Sequence, residues 1–221
     1  MQSTRVKHIC ALALGALIAV NMPLVAQEKA EKTKTHDHKH SHDHNDEDIY
    51  KGLFNDDQIK PRELSDWAGD WQSVYPLLRD GSLDEVMRHK AENGDKTFDE
   101  YKAYYTTGYE TDVNRILFEG DTATFFRATG PVQGQYENDG YEVLTYDSGS
   151  RGVRYVFKKV AGDADAPAFF QFSDHRIAPA ISDHYHLYWG DDRTALLSEL
   201  TNWPTYYPAD LSPDQIVEQM H

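Results

Sequence analysis

Cysteine is almost missing from this chain: the sole thiol, Cys10, stands inside an apolar run from Ile9 to Val20. Arg5, Lys7 and His8 precede that run and Pro23 and Leu24-Val25-Ala26 follow it, which is the anatomy of a secretory signal peptide over residues 1–26. Cleavage after Ala26 is expected to leave a mature chain with no thiol. Disulfides, thiolate metal sites and cysteine redox chemistry are thereby excluded. Cys10 also lacks the upstream leucine of a lipid-attachment motif, so a soluble exported product is expected, periplasmic if the source is Gram-negative. Long hydrophobic runs are missing too. Ile9–Val20 is shorter than the ~20 apolar residues of a membrane helix and nothing later approaches that length, so no membrane insertion is expected after leader removal. Basic residues are scarce: 22 Lys and Arg against 37 Asp and Glu give a net charge of −15, and loss of Arg5 and Lys7 with the leader takes it to −17. A chain so acidic excludes nucleic acid as a partner. It also raises the local concentration of cations, besides keeping an exported protein soluble.

What is abundant is histidine, at every second position of His36, His38, His40, His42 and His44. Imidazole suits zinc, copper and nickel, and a flexible strand that alternates imidazoles with Asp37, Lys39 and Asp43 offers several weak ligands at once. An expression tag is the bland alternative, but a tag is normally an uninterrupted run at a terminus. Residues 27–48 otherwise hold almost nothing apolar and read as a flexible arm.

Residues 49–221 carry the apolar and aromatic side chains of one domain. Its first part, about 53–110, is helical in punctuation, with Ser82-Leu83-Asp84-Glu85 and Thr97-Phe98-Asp99-Glu100 spaced as capping boxes and Asn93-Gly94 and Gly108 as stops. Trp71 to Tyr75, ahead of Pro76, reads as an extended or turning lead-in. Over about 111–190 the signal becomes short β runs: Val113–Phe118, Thr122–Arg127, Tyr141–Tyr146, Val153–Lys159, Ala168–Asp174 and His184–Trp189. Turn chemistry at Glu119-Gly120-Asp121, Asp139-Gly140 and Asp147 to Ser150 separates them. The expected fold is mainly β with helices, an antiparallel meander closed as a lipocalin-type barrel beside a helical part. C-terminal helices are expected over about 191–221, one at Asp192–Leu200 and one capped by Ser212-Pro213.

Outside the arm the mature chain has His89, His175, His184, His186 and His221, and three of these fall within twelve residues. Strand alternation groups His175 with Gln171 and Ser173, and His184 with His186 and Tyr188. If Arg176 to Asp183, with Pro179, reverses the chain, the three imidazoles converge at one end of a hairpin as a set for tetrahedral zinc. His89, between Arg88 and Lys90, reads as a surface residue, while Asp174 and Asp183 are candidates to orient the imidazoles. A three-histidine zinc with an open fourth position is also how a hydrolase or hydratase would begin, but no His-Glu-x-x-His and no nearby glutamate supplies a base. No catalytic residue is therefore assigned, and binding is the expected role. A carrier of apolar ligands fits less well, because polar residues share the histidine face.

Leu64-Ser65-Asp66-Trp67, Trp71 to Leu78, Asp139-Gly140-Tyr141, Gly152-Val153-Arg154-Tyr155, Phe172-Ser173-Asp174-His175, His184-x-His186 and Asn202-Trp203-Pro204-Thr205-Tyr206-Tyr207-Pro208 together resemble the ZinT (YodA) family of periplasmic zinc- and cadmium-binding proteins. The resemblance runs from about residue 50 to the end of the chain and implies a calycin-like barrel with a helical part. It implies metal ligation by His175, His184 and His186, and a His-rich N-terminal stretch at His36 to His44. The implied cargo is Zn(II), with Cd(II), Ni(II) and Cu(II) also accommodated by imidazoles. The implied partner is the solute-binding component of a zinc ABC importer. Relatives that carry a cysteine pair would have it where this chain has Gly134 and Lys159, so the barrel staple it would form is missing here.

Overall fold

Alternation of apolar and polar residues along short segments dictates half-buried strands, and eight of them close an antiparallel barrel in chain order. They are β1 (Gly69–Ser73), β2 (Val113–Glu119), β3 (Thr122–Arg127), β4 (Gly130–Thr145), β5 (Arg151–Gly162), β6 (Phe169–Ser173), β7 (Tyr185–Gly190) and β8 (Thr205–Pro208). The computed structural model describes residues 44–198 and 200–221; the expected leader and His36 to His42 lie outside the described residues. Among the described residues five α-helices accompany the barrel: α1 (His44–Tyr50), α2 (Tyr75–Arg79), α3 (Asp84–Asn93), α4 (Phe98–Tyr109) and α5 (Pro213–Met220).

Two strands that the alternation does not announce do the closing. Trp71 pairs with Pro208 and Ser73 with Tyr206, joining β1 to β8, and β8 joins β7 through Tyr185 with Tyr206 and His186 with Thr205. Both segments are short, and β8 has Pro204 before it and Pro208 at its end, so their extended form rests on partners far away in sequence rather than on local pattern. Asp139-Gly140 is no turn. Strand β4 runs through it as a bulge between Asn138 and Tyr141, with Gly140 at φ 85°, a conformation that glycine alone adopts freely.

The barrel interior is filled by aromatic rings. Trp67 stacks on Phe172 at 4.1 Å, Phe157 on Phe170 at 5.4 Å, and Phe118, Tyr185 and Phe125 complete a solid centre. Because Phe170, Phe172, Tyr185 and Leu187 point into this core, Gln171, Ser173, His186 and Tyr188 fall on the opposite, outer face of β6 and β7.

A second apolar cluster, of Val74, Leu78, Leu83, Val86, Met87, Tyr109, Tyr207 and Ile216, ties the helices together. Thr97 caps α4 and Ser212 caps α5 as reciprocal boxes, as their spacing predicts. Ser82 does not cap α3, whose N-cap position is Leu83. Gly108 lies within α4 instead of stopping it, and glycine is required there because a Cβ would sit 2.3 Å from the Trp203 ring. Only a 3-10 turn, Ala195–Leu197, forms where a helix over Asp192–Leu200 is expected. At the N-terminal side, α1 begins inside the segment expected to be arm, since Ile49 packs against the barrel core.

Candidate metal centre

Strand β6 ends at Ser173, opposite His186 on β7, and the segment between the two strands carries the other two histidines at its ends. His175 is therefore not on a strand face. It has φ 59°, the only non-glycine residue with positive φ among the described residues. A left-handed backbone costs an ordinary residue roughly 1 kcal/mol, so the surrounding structure holds this imidazole where it is. His184 likewise precedes β7, and only His186 lies within it. The three histidines of the hairpin expectation do lie together, although alternation is not what aligns them.

The three rings converge. Centroids are 5.9 Å apart for His175 and His184, 5.5 Å for His175 and His186, and 6.1 Å for His184 and His186. Each offers one ring nitrogen, and these nitrogens all lie within 4.8 Å of one another. The edge of a zinc tetrahedron with Zn–N distances of ~2.0–2.1 Å is roughly 3.3 Å, so small side-chain rotations bring the set to bonding distance. Three imidazoles and a free coordination position fit zinc in donor type and number.

Burial decides their protonation. It holds His175 down to about 4, with His184 adding repulsion. Burial also lowers His184, and it pushes His186 well below the ordinary imidazole range, where His175, His184 and Arg154 add to the effect. All three rings are thus neutral at physiological pH, as ligation requires.

Neighbours missed by sequence reasoning build the walls. Tyr50 of α1 lies on His175 at 4.3 Å and Tyr207 of β8 stacks on His184 at 5.1 Å. His186 Nδ1 is 2.7 Å from Thr205 Oγ1. Asp174 does not orient an imidazole: it takes both NH1 contacts of buried Arg62, at 2.7 and 2.8 Å. Asp183 pairs with Arg176. Arg62 further binds Asp66 at 2.8 Å and the Ala180 carbonyl at 2.8 Å, with its guanidinium 4.0 Å above Trp67. Asp66 in turn accepts the amides of Ala180 and Ser182. The segment from His175 to His184 is so clamped to residues 62–67. A charged residue before an aromatic motif was the only hint in sequence.

His89 is exposed, as expected, and touches His221 at 4.8 Å between ring centroids. At Gly134 a Cβ would meet the Tyr136 ring at 2.8 Å, and the Lys159 ammonium donates to the carbonyls of Asp163, Ala164 and Ala166. Lys159 thereby anchors the turn after β5 non-covalently.

A barrel closed in this order, with a histidine cluster on its outer face, defines a lipocalin-like metal-site class of protein. The family model described as ZinT (YodA), periplasmic lipocalin-like zinc-recruitment, matches residues 45–221, and the chain belongs to that family. It is 56% identical over 175 residues to the probable metal-binding protein YrpE of Bacillus subtilis, covering 79% of this chain and 70% of that protein. It is 48% identical over 178 residues to the zinc-binding protein AdcA of Streptococcus pyogenes serotype M1, covering 78% of this chain but 35% of the relative. The chain thus spans about a third of the length of AdcA. The zinc(II)-bound ZinT-like domain of Streptococcus pneumoniae AdcA superposes with a TM-score of 0.75 at 44% identity, covering 78% of this chain and 97% of that one.

The depressed histidines set a pH expectation. Unfolded imidazoles titrate near ~6.5, so below that pH the unfolded chain binds protons that the metal-free folded chain refuses. Stability is complete above pH ~6.5 and is lost as pH falls toward 4, the value to which His175 is held. Zinc occupancy should follow the folded rings. Its decline is expected below the ~6.5 of a free imidazole, and competition titrations from pH 7.5 to 3.5 will locate it. Full affinity at pH 3.5 would speak against imidazole ligands.

Proposed function

We propose that this protein captures scarce Zn(II) outside the cytoplasm and assists its import, holding one ion tightly on His175, His184 and His186. The observation that carries this reading is the meeting of three neutral imidazoles whose ring nitrogens lie within 4.8 Å of one another. The zinc-binding relative AdcA and the zinc-bound state of the solved ZinT-like domain support the choice of metal. Cd(II), Ni(II) and Cu(II) are secondary guests, since neutral imidazoles bind them all. The solute-binding component of a zinc ABC importer is the proposed partner, in the periplasm or the equivalent extracytoplasmic space, reached through the leader over residues 1–26.

Binding is favoured over hydrolysis by what the flanking carboxylates do. Asp174 is neutralised by Arg62 and Asp183 by Arg176, so each is already committed to a guanidinium. Within the domain at 49–221 the site collects; His36, His38, His40, His42 and His44 supply it.

The arm's part is one of reach. Being on the same chain as the cluster, the arm histidines raise the effective concentration of the zinc they hold. Deleting residues 36–43 should therefore lower the number of weakly held zinc ions and slow loading when metal is scarce, while one tight ion per chain remains. Equilibrium dialysis decides the matter, and loss of the tight ion would mean that the arm provides an essential ligand. The cut stops at residue 43 because α1 begins at His44 and places Tyr50 on His175.

A further inference from the structure

We infer that Thr205 sets the tautomer of His186 and so decides which ring nitrogen faces the cation. This inference rests on the proposed reading of His186 as a metal ligand. Thr205 is buried on β8, where its backbone lies opposite His186 and its carbonyl accepts from the Val74 amide, so the side chain has a fixed position. Its hydroxyl carries a single proton, and that proton is directed at the Trp203 carbonyl, 3.0 Å away. A carbonyl only accepts, so this contact uses the one proton that Thr205 has. The 2.7 Å contact between Thr205 Oγ1 and His186 Nδ1 can then form in one sense: Nδ1–H donates and Oγ1 accepts. With the proton on Nδ1, Nε2 keeps its lone pair and becomes the ligating atom.

The consequence is chemical. Free histidine in water favours the proton on Nε2, the form in which that nitrogen cannot ligate. Thr205 and the Trp203 carbonyl reverse this preference before any metal arrives, so binding does not have to move the proton. The relay His186 Nδ1–H to Thr205 Oγ1–H to Trp203 carbonyl also fixes the ring plane. Thr205 is thus a positioning residue.

The test begins without metal. Long-range 15N–1H correlation spectra of the zinc-free protein at pH 7.5 report which nitrogen of His186 is protonated, and His186→Ala identifies its signals. The expected pattern is Nδ1–H in the native chain and in Thr205→Ser, shifting toward Nε2–H in Thr205→Val. Zinc competition titrations should show affinity about 10–100-fold weaker for Thr205→Val and close to native for Thr205→Ser. An Nε2–H pattern in the native protein overturns the proposal, and so does a Thr205→Val protein that keeps both the Nδ1–H pattern and native affinity. The native spectra and Thr205→Ser decide even if Thr205→Val fails to fold. Failure of the underlying ligand reading is seen separately: native zinc affinity in His186→Ala, with the Nδ1–H pattern intact in the native chain, removes His186 from the ligand set while the hydrogen-bond relay stands.

Discussion

Replacing His184 or His186 with alanine is expected to weaken tight zinc binding by about a hundredfold or more, and replacing all three cluster histidines should abolish it. Structural zinc sites release about 10–16 kcal/mol from four ligands, so each imidazole accounts for about 3 kcal/mol, a little over two decades in affinity. The measurement is calorimetry on full-length protein in which His36, His38, His40, His42 and His44 are serine. One zinc bound with unchanged affinity by the triple variant would end the assignment. His175 provides a further contrast. Glycine adopts the φ of 59° at this position without steric cost, so His175→Gly should lose zinc as severely as the alanine variants yet melt near the native metal-free temperature. A residue that holds a left-handed backbone for the sake of its ring is recognised by that separation of binding from stability.

The largest stability effect is expected at Arg62. Its side chain is fully buried, and its removal leaves Asp174, 1% exposed at the side chain, as an uncompensated buried carboxylate. Breaking such a pair from one side costs about 3–5 kcal/mol, so Arg62→Met should shift the denaturant midpoint strongly. Adding Asp174→Asn to it should recover part of the loss, because the stranded charge is then gone. Zinc affinity should fall in both variants, since the Ala180 carbonyl loses its guanidinium and the segment bearing His175 and His184 loses its clamp. Denaturant unfolding of the metal-free chains measures the first effect and zinc titration the second. An Arg62→Met protein within 1 kcal/mol of native, by the ~3–5 kcal/mol standard, would show that the ion pair does not hold the segment.

Most of the barrel is legible in the chain because its strands are locally amphipathic. Val113 to Phe118 and Thr122 to Arg127 are short runs rich in β-branched and aromatic residues, joined by a turn that Gly120 makes at φ 62°. The extended run over β4 is interrupted in sequence by Asp139-Gly140, which has the chemistry of a turn and the structure of a bulge. Nothing local separates the two outcomes. Pairing with β5 before and after it does, through Asn138 with Phe157 and Tyr141 with Tyr155.

By itself the sequence determined the order of most strands, the caps of α4 and α5, and the three histidines within twelve residues. These depend on neighbours in the chain: spacing, turn residues and residue chemistry. Only the tertiary structure decided that the histidine cluster lies on the outer face of a barrel filled with aromatic rings, that His175 enters it from a left-handed backbone, and that β1 and β8 close the sheet. Thr205 is 19 residues from His186 and Arg62 is 112 from Asp174. Contacts at such separations are made by the fold and leave no periodicity in the chain, so the groups that orient the histidines were visible only once the strands had brought them together.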